Sequence, residues 1–122
     1  MKWSWRAGSL FGISVYIHWT FVIVLGWIAL GHVQANGSIV QFVVGVVSIV
    51  VLFGTVLLHE LGHSLMARRY GIQTKDITLL PIGGVARLER MPEKPSQEFW
   101  VAIAGPAVNV VLAIIAALLL MI

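Results

Sequence analysis

Two histidines and one glutamate stand at a spacing that suits metal-dependent hydrolysis. His59, Glu60 and His63 lie within the run His-Glu-Leu-Gly-His. Residues i and i+4 of an α-helix project from one face, so the two imidazoles can reach one zinc ion. Glu60 is then close enough to act as general base toward a water whose pKa the metal lowers. This spacing is typical of zinc-dependent proteases, and the alternative is a hydrogen-bonded histidine pair beside a helix-end glutamate.

The composition indicates where this chemistry would take place. Hydrophobic residues make up 59 % of the chain, charged residues make up 11 %, and the mean hydropathy is +0.95. Soluble domains usually carry roughly 25 % charged residues. The 122 residues therefore predict a single unit of an integral membrane protein. Cysteine is absent from the sequence, which excludes disulfides and thiolate ligands within it.

Three long apolar stretches predict the elements that must position the motif. They cover about residues 17–35, 39–69 and 99–122, and each is near the roughly 20 residues that a spanning helix needs. Between the second and third stretches, residues 77–89 read as two short strands around a Gly-Gly turn. The predicted fold class is an α-helical membrane protein with three transmembrane helices and a short membrane-associated β-hairpin.

The basic residues predict the orientation of the chain in the membrane. Two of the eight precede the first helix, and six lie between the end of the second helix, at Arg68 and Arg69, and the start of the third, whereas the loop at 32–38 has none. By the positive-inside rule, the N-terminus and residues 70–97 are cytoplasmic in a multi-pass protein of the cell membrane. The basic composition thus reflects topology, and no nucleic-acid partner is expected. A signal peptide ending near Val33-Gln34-Ala35 is the competing interpretation of the N-terminal region.

The predicted hairpin is a candidate site for substrate binding. Gly83, Gly84 and Val85 lie in an apolar segment that would dip toward the membrane. An exposed strand edge there could pair with an unwound substrate and present its peptide bond in extended form. The alternative is a covered hairpin with a purely structural role.

The third helix adds one polar candidate. Asn109 is the one strongly polar side chain in an otherwise apolar run, so it either contacts substrate backbone or hydrogen-bonds to the neighbouring helix. Gly105 on this helix and Gly62 on the second are small residues of the kind that let helices approach closely.

Four motifs in register resemble the site-2 protease family of intramembrane zinc metalloproteases. They are Ile-His-Trp-Thr-Phe at 17–21, Leu-His-Glu-Leu-Gly-His-Ser at 58–64, Leu-Pro-Ile-Gly-Gly-Val-Ala at 80–86 and Ala-Gly-Pro-Ala-Val-Asn at 104–109. The resemblance implies zinc bound by His59 and His63, Glu60 as catalytic base, and the Gly-Gly hairpin and Asn109 beside the active site. It also implies regulated intramembrane proteolysis, in which the partners are the lipid bilayer and a transmembrane protein substrate.

One departure from the family pattern concerns the third zinc ligand. Members supply an aspartate from an Asp-Gly motif on a later helix, and this chain ends before such a helix. Asp76 is not followed by glycine, and Glu89, Glu93 and Glu98 look like a solvated connection. We therefore expect residues 1–122 to be the N-terminal part of one protease domain, with the third ligand beyond residue 122. A non-catalytic metal-binding or substrate-capturing module and a helix-packing or transporter component remain alternatives.

Overall fold

The computed structural model describes residues 4–35 and 37–122, which form four strands and three helices. In chain order the elements are β1 (Ser4–Leu10), β2 (Ile13–His18), α1 (Thr20–Gln34), α2 (Ile39–Arg69), β3 (Thr74–Leu80), β4 (Gly83–Leu88) and α3 (Pro95–Leu120). The four strands belong to one sheet. The predicted α-helical class with one short β-hairpin is therefore corrected to mixed α/β.

The sheet joins two hairpins through a parallel central pair. Its strand order is β1-β2-β3-β4, with β1 antiparallel to β2, β2 parallel to β3, and β3 antiparallel to β4. Parallel strands need a long crossover connection, which α1 and α2 supply here. The two outer strands, β1 and β4, have no further strand partner within the described ranges.

The hairpin of β1 and β2 was not predicted from the sequence. Its turn places Phe11 at φ +53° and Gly12 at φ +79°, and two consecutive residues with positive φ match the twist of a tight hairpin. The Arg68 guanidinium of α2 donates a hydrogen bond to the Phe11 carbonyl. Ile13 and Val15 of β2 alternate inward and are buried, which is the period of a strand.

The first helix is shorter than predicted because its start lies in the sheet. Ile17 pairs with Leu79 of β3, so the helix begins at Thr20 and not at residue 17. The His18 Nδ1 lies 2.8 Å from the Thr20 hydroxyl and 3.3 Å from the Thr20 amide nitrogen. A side-chain acceptor for a free amide at a helix start is a common way to fix that boundary.

Two of the described helices are long and apolar enough to cross a membrane. The 31 residues of α2 rise about 46 Å and the 26 of α3 about 39 Å, whereas the 15 of α1 rise about 22 Å. A hydrocarbon core is about 30 Å thick, so α1 alone falls short, and two of the three predicted spans are supported by helices of sufficient length. Helix α2 has the predicted bounds, and α3 begins at Pro95, four residues earlier than residue 99.

The sheet and α3 both pack against the C-terminal half of α2. One buried cluster joins Leu61 of α2 to Ile13 and Ile77 of the sheet. A second joins Ala67 to Val101 of α3. The segment of α2 that carries residues 59–63 therefore lies between β4 and α3.

Candidate metal centre

The two histidines of α2 point their outer ring nitrogens at one another. The Nε2 atoms of His59 and His63 are 3.2 Å apart, and the rings meet edge to face with centroids 4.8 Å apart. Two nitrogens bound to one tetrahedral zinc at about 2.0–2.1 Å lie about 3.3 Å from each other. The pair therefore fits two adjacent corners of a tetrahedral zinc site.

A backbone carbonyl of α3 fixes the orientation of one ring. The Nδ1 of His63 lies 2.6 Å from the carbonyl oxygen of Val101, which is buried. A carbonyl can only accept, so this hydrogen bond assigns the ring proton to Nδ1 and leaves the Nε2 lone pair free. Metal-binding histidines commonly donate their other nitrogen in this way, and the bond orients the ring.

Glycine 105 of α3 leaves the space in front of these nitrogens open. A Cβ at Gly105 would lie 2.8 Å from the His59 Nε2 and 2.6 Å from the His63 Cε1, and it would also collide with the His63 Nε2. On the facing helix, a Cβ at Gly62 would lie 2.7 Å from the Ala104 carbonyl oxygen. The close approach of α2 and α3 therefore requires glycine on both helices.

Glu60 faces the sheet, where a glycine of β4 packs on its side chain. A Cβ at Gly84 would lie 2.9 Å from the Glu60 Cγ. The predicted Gly-Gly turn is corrected, because Leu80 pairs with Gly83 and the turn falls on Pro81 and Ile82. Proline suits the first corner of a turn because its φ is already fixed. Gly84 lies outside the turn, and it allows β4 to approach Glu60 closely.

Most of the predicted site residues line one cavity of about 430 Å³. Its lining includes His59, Glu60, Gly83, Gly84 and Asn109. His63 lines a second cavity of about 270 Å³, and Glu60 lines both. Val85 lines neither cavity, and its side chain is 45 % exposed. The structure thus brings Asn109 and the two glycines beside the motif, whereas Val85 could contribute only through its backbone.

No group of three metal-binding side chains occurs within residues 4–35 and 37–122. Asp76, the one aspartate, is buried and accepts hydrogen bonds from both Nε and Nη2 of Arg87 on the neighbouring strand. These bonds hold the pKa of the Asp76 carboxyl below its usual range, although burial opposes them. The same contact raises the pKa of Arg87. The Asp76 carboxylate is therefore engaged in an ion pair within the β3–β4 hairpin.

The sequence did not predict the role of the Val101 carbonyl in this centre, and it predicted the role of Gly105 only in part. The Val101 carbonyl has no sequence signal, because every residue carries a carbonyl. Gly105 was recognisable as a small residue on a helix face, but its contact with the two imidazoles depends on how α3 crosses α2.

Comparisons with known proteins identify the family. A model of peptidase family M50 matches residues 47–122. A protein of Synechocystis sp. assigned to the zinc metalloproteases is 43 % identical over 113 residues, which are 88 % of this chain and 30 % of that protein. A zinc metalloprotease of Methanocaldococcus jannaschii is 38 % identical over 115 residues, which are 94 % of this chain and 32 % of that protein.

A solved structure has a similar fold. The site-2 protease from Methanocaldococcus jannaschii matches with a TM-score of 0.74 and 37 % identity, over 95 % of this chain and 50 % of that one. The chain spans about a third of the length of the curated relatives it matches. On sequence and on structure, the chain belongs to the site-2 protease family.

Proposed function

We propose that the intact protein is a zinc metalloprotease that cleaves peptide bonds within or next to transmembrane segments of membrane-tethered proteins. His59 and His63 are the proposed zinc ligands and Glu60 the proposed general base. The observation that carries this proposal is the 3.2 Å approach of the two Nε2 atoms beside a cavity that Glu60 also lines. The family membership of the chain supports the same assignment.

The proposed chemistry divides between the metal and the side chains. When bound, zinc would supply the Lewis acidity that makes a water acidic enough to be activated near neutral pH. The Glu60 carboxylate would serve as the proton acceptor for the attacking water and would return the proton to the leaving amine. His63 keeps its Nε2 lone pair toward the metal because its Nδ1 donates to the Val101 carbonyl. Catalytic zinc sites normally have three protein ligands, so we assign the third to a residue outside these 122.

We infer that the site lies inside the bilayer on its cytoplasmic side. Arg68 and Arg69 end α2, and His59 precedes Arg68 by nine residues, or about 13 Å of helix. The six residues of β2 add about 20 Å to the 22 Å of α1, which together approach the length of α2. The sheet would then replace the cytoplasmic part of a first span. In this multi-pass arrangement the N-terminus and residues 70–97 face the cytoplasm.

The outer edge of β4 is the proposed docking site for a transmembrane protein substrate. Within the described residues, β4 pairs only with β3, and its Gly84 lies against Glu60. Backbone groups inside a bilayer need hydrogen-bond partners, which an unwound substrate strand can supply. A strand added at this edge would bring its peptide bond beside Glu60.

The proposal is tested by Glu60→Gln in the intact protein. This change removes the proton acceptor and no proposed ligand, so zinc content should be retained while cleavage of a single-span reporter protein is lost. Glu93→Gln is the matched control, because Glu93 lines neither cavity. Cleavage that survives Glu60→Gln would refute the assigned base. Zinc binding without cleavage in the unaltered protein would indicate a non-catalytic metal-binding module.

A further inference from the structure

We propose that the second cavity beside Glu60 is a subsite for a lysine or arginine side chain of the substrate, with the Glu98 carboxylate binding its charged end. This inference rests on the proposed protease function and names a preference of that same site. The cavity has a volume of about 270 Å³, and Glu60 and His63 form part of its wall.

The chemistry of the cavity suits a long cationic side chain. Apolar walls come from Leu88, Met91 and Val101, and Glu98 is the one acidic group besides Glu60 in the lining. Lysine and arginine pack their methylene stems on apolar surface and keep the charged end at a polar group. A purely aliphatic or an acidic side chain would leave one of these two features unmatched.

The Glu98 carboxylate is available for a ligand. It lies in the first turn of α3 and is exposed. The one salt bridge found in the described part of the chain joins Arg87 to Asp76, so even Lys94, one helical turn away, does not pair with Glu98. An unpaired carboxylate at the mouth of an apolar cavity attracts a cation.

Strand periodicity relates this cavity to the cleaved bond. Gly84 packs on Glu60, while Ala86 and Leu88 line the second cavity, so these alternate residues share one face of β4. A substrate strand along the β4 edge has the same period. A side chain that enters the second cavity therefore belongs to a residue about two positions from the bond beside Glu60.

Charge complementarity points to the cytoplasmic flank of the substrate. Membrane segments carry an excess of lysine and arginine in their cytoplasmic connections. Glu98 follows directly on residues 70–97, which the proposed topology places in the cytoplasm. The subsite would thus favour cleavage near the cytoplasmic end of a transmembrane segment.

The test uses the intact protein and a single-span reporter protein whose cleaved bond has been mapped by mass spectrometry. Lysine, glutamine or glutamate is placed two residues from that bond, on each side in turn, and kcat/KM is measured for each reporter. On one side, the unaltered protein should prefer lysine over glutamate by about tenfold, as expected for replacing attraction by repulsion at a partly exposed pair. Glu98→Lys should invert this preference, and Glu98→Gln should reduce it, because Glu60 is then the one acidic group left in the lining.

Glu93→Lys is the matched control, since it changes the net charge equally at a residue outside the cavity. It should leave the lysine preference intact. If the Glu98→Lys protein does not accumulate, the kcat/KM values of Glu98→Gln with the same reporters serve as the test. An unaltered preference in the Glu98 variant, or no preference in the unaltered protein while cleavage still depends on Glu60, would overturn the subsite alone. Cleavage that does not depend on Glu60 would instead overturn the proposed function.

Discussion

Replacing Gly105 by alanine should disturb the proposed zinc site without touching a ligand. The new methyl group would lie 2.8 Å from the His59 Nε2, whereas ordinary van der Waals contact begins at 3.4 Å. The ring or α3 must therefore shift by about 0.6 Å, and the collision with the His63 Nε2 requires more. The His63 ring cannot rotate away from the new methyl group without losing a hydrogen bond, because its Nδ1 donates to the carbonyl of Val101, which lies on α3 together with Gly105.

The expected losses follow from the size of this shift. Changes to groups that orient metal ligands typically cost 10- to 100-fold in metal affinity or activity. A misplacement of about 1 Å can lower a catalysed rate about 100-fold. Gly105→Ala should therefore weaken zinc binding by at least about tenfold and reduce kcat by about 100-fold. Zinc affinity is measured by competition with a chromophoric chelator, and kcat with the reporter protein.

Gly54→Ala provides the control for this experiment. Gly54 lies in α2, and a Cβ there would meet nothing within 4 Å. Both substitutions improve intrinsic helix propensity by about 1 kcal/mol, so they differ chiefly in the collision. Gly54→Ala should bind zinc and cleave as the unaltered protein does. Equal behaviour of Gly105→Ala would show that α3 does not press on the two imidazoles.

Three further predictions address the sheet and the topology. The folded-state pKa of Asp76 is lowered by Arg87, so the stability from this pair is fully present above the unfolded pKa of about 3.9 and is lost as pH falls through the lower folded value. Asp76→Asn should cost about 1 kcal/mol in unfolding free energy at pH 7 and progressively less as the pH falls below the unfolded value, and a cost that does not change with pH would refute the ion-pair explanation. Gly84→Ala should impair cleavage while zinc stays bound, because its methyl would lie 2.9 Å from the Cγ of Glu60, the proposed general base, and undiminished cleavage would place β4 away from the reaction. In a protein without other cysteines, Ala35→Cys should react with an impermeant reagent from outside and Glu93→Cys should not, whereas the reverse pattern would overturn the orientation.

The placement of the two histidines and the extent of their helix could be predicted because both depend on local patterns. His59 and His63 share a helix face by their four-residue separation, and α2 runs from Ile39 to Arg69 as the apolar pattern indicates. Ser38 and Gln41 form a capping box at its start, which fixes this boundary through local hydrogen bonds.

The N-terminal hairpin could not be recognised in the same way. The apolar positions of β2 run directly into those of α1, so one continuous apolar stretch contains two kinds of element. What separates them is the pairing of Val15 with Ile77, residues far apart in the chain. Non-local pairing leaves no trace in a local hydropathy pattern, and the predicted helix was therefore extended into the sheet.

The roles of the glycines in β4 and α3 were predicted only in part from the sequence. Gly83 and Gly84 were predicted to form the turn of the hairpin. The turn lies at residues 81 and 82, Gly83 follows it with a φ of +141°, and Gly84 lets β4 approach Glu60. Gly105 suggested helix packing, yet it also borders the two imidazoles. Both roles require a glycine, and only the three-dimensional arrangement distinguishes them.

Whether the two histidines of α2 hold a catalytic zinc is tested by the zinc content of four purified forms of the intact protein. The unaltered protein and Glu60→Gln should each carry about one zinc per chain, whereas His59→Ala and His63→Ala should lose most of theirs, since each removes one of the three protein ligands typical of such sites. X-ray absorption on the unaltered protein should show nitrogen ligands at about 2.0–2.1 Å. Full zinc content in both histidine variants would refute the assignment of His59 and His63 as zinc ligands.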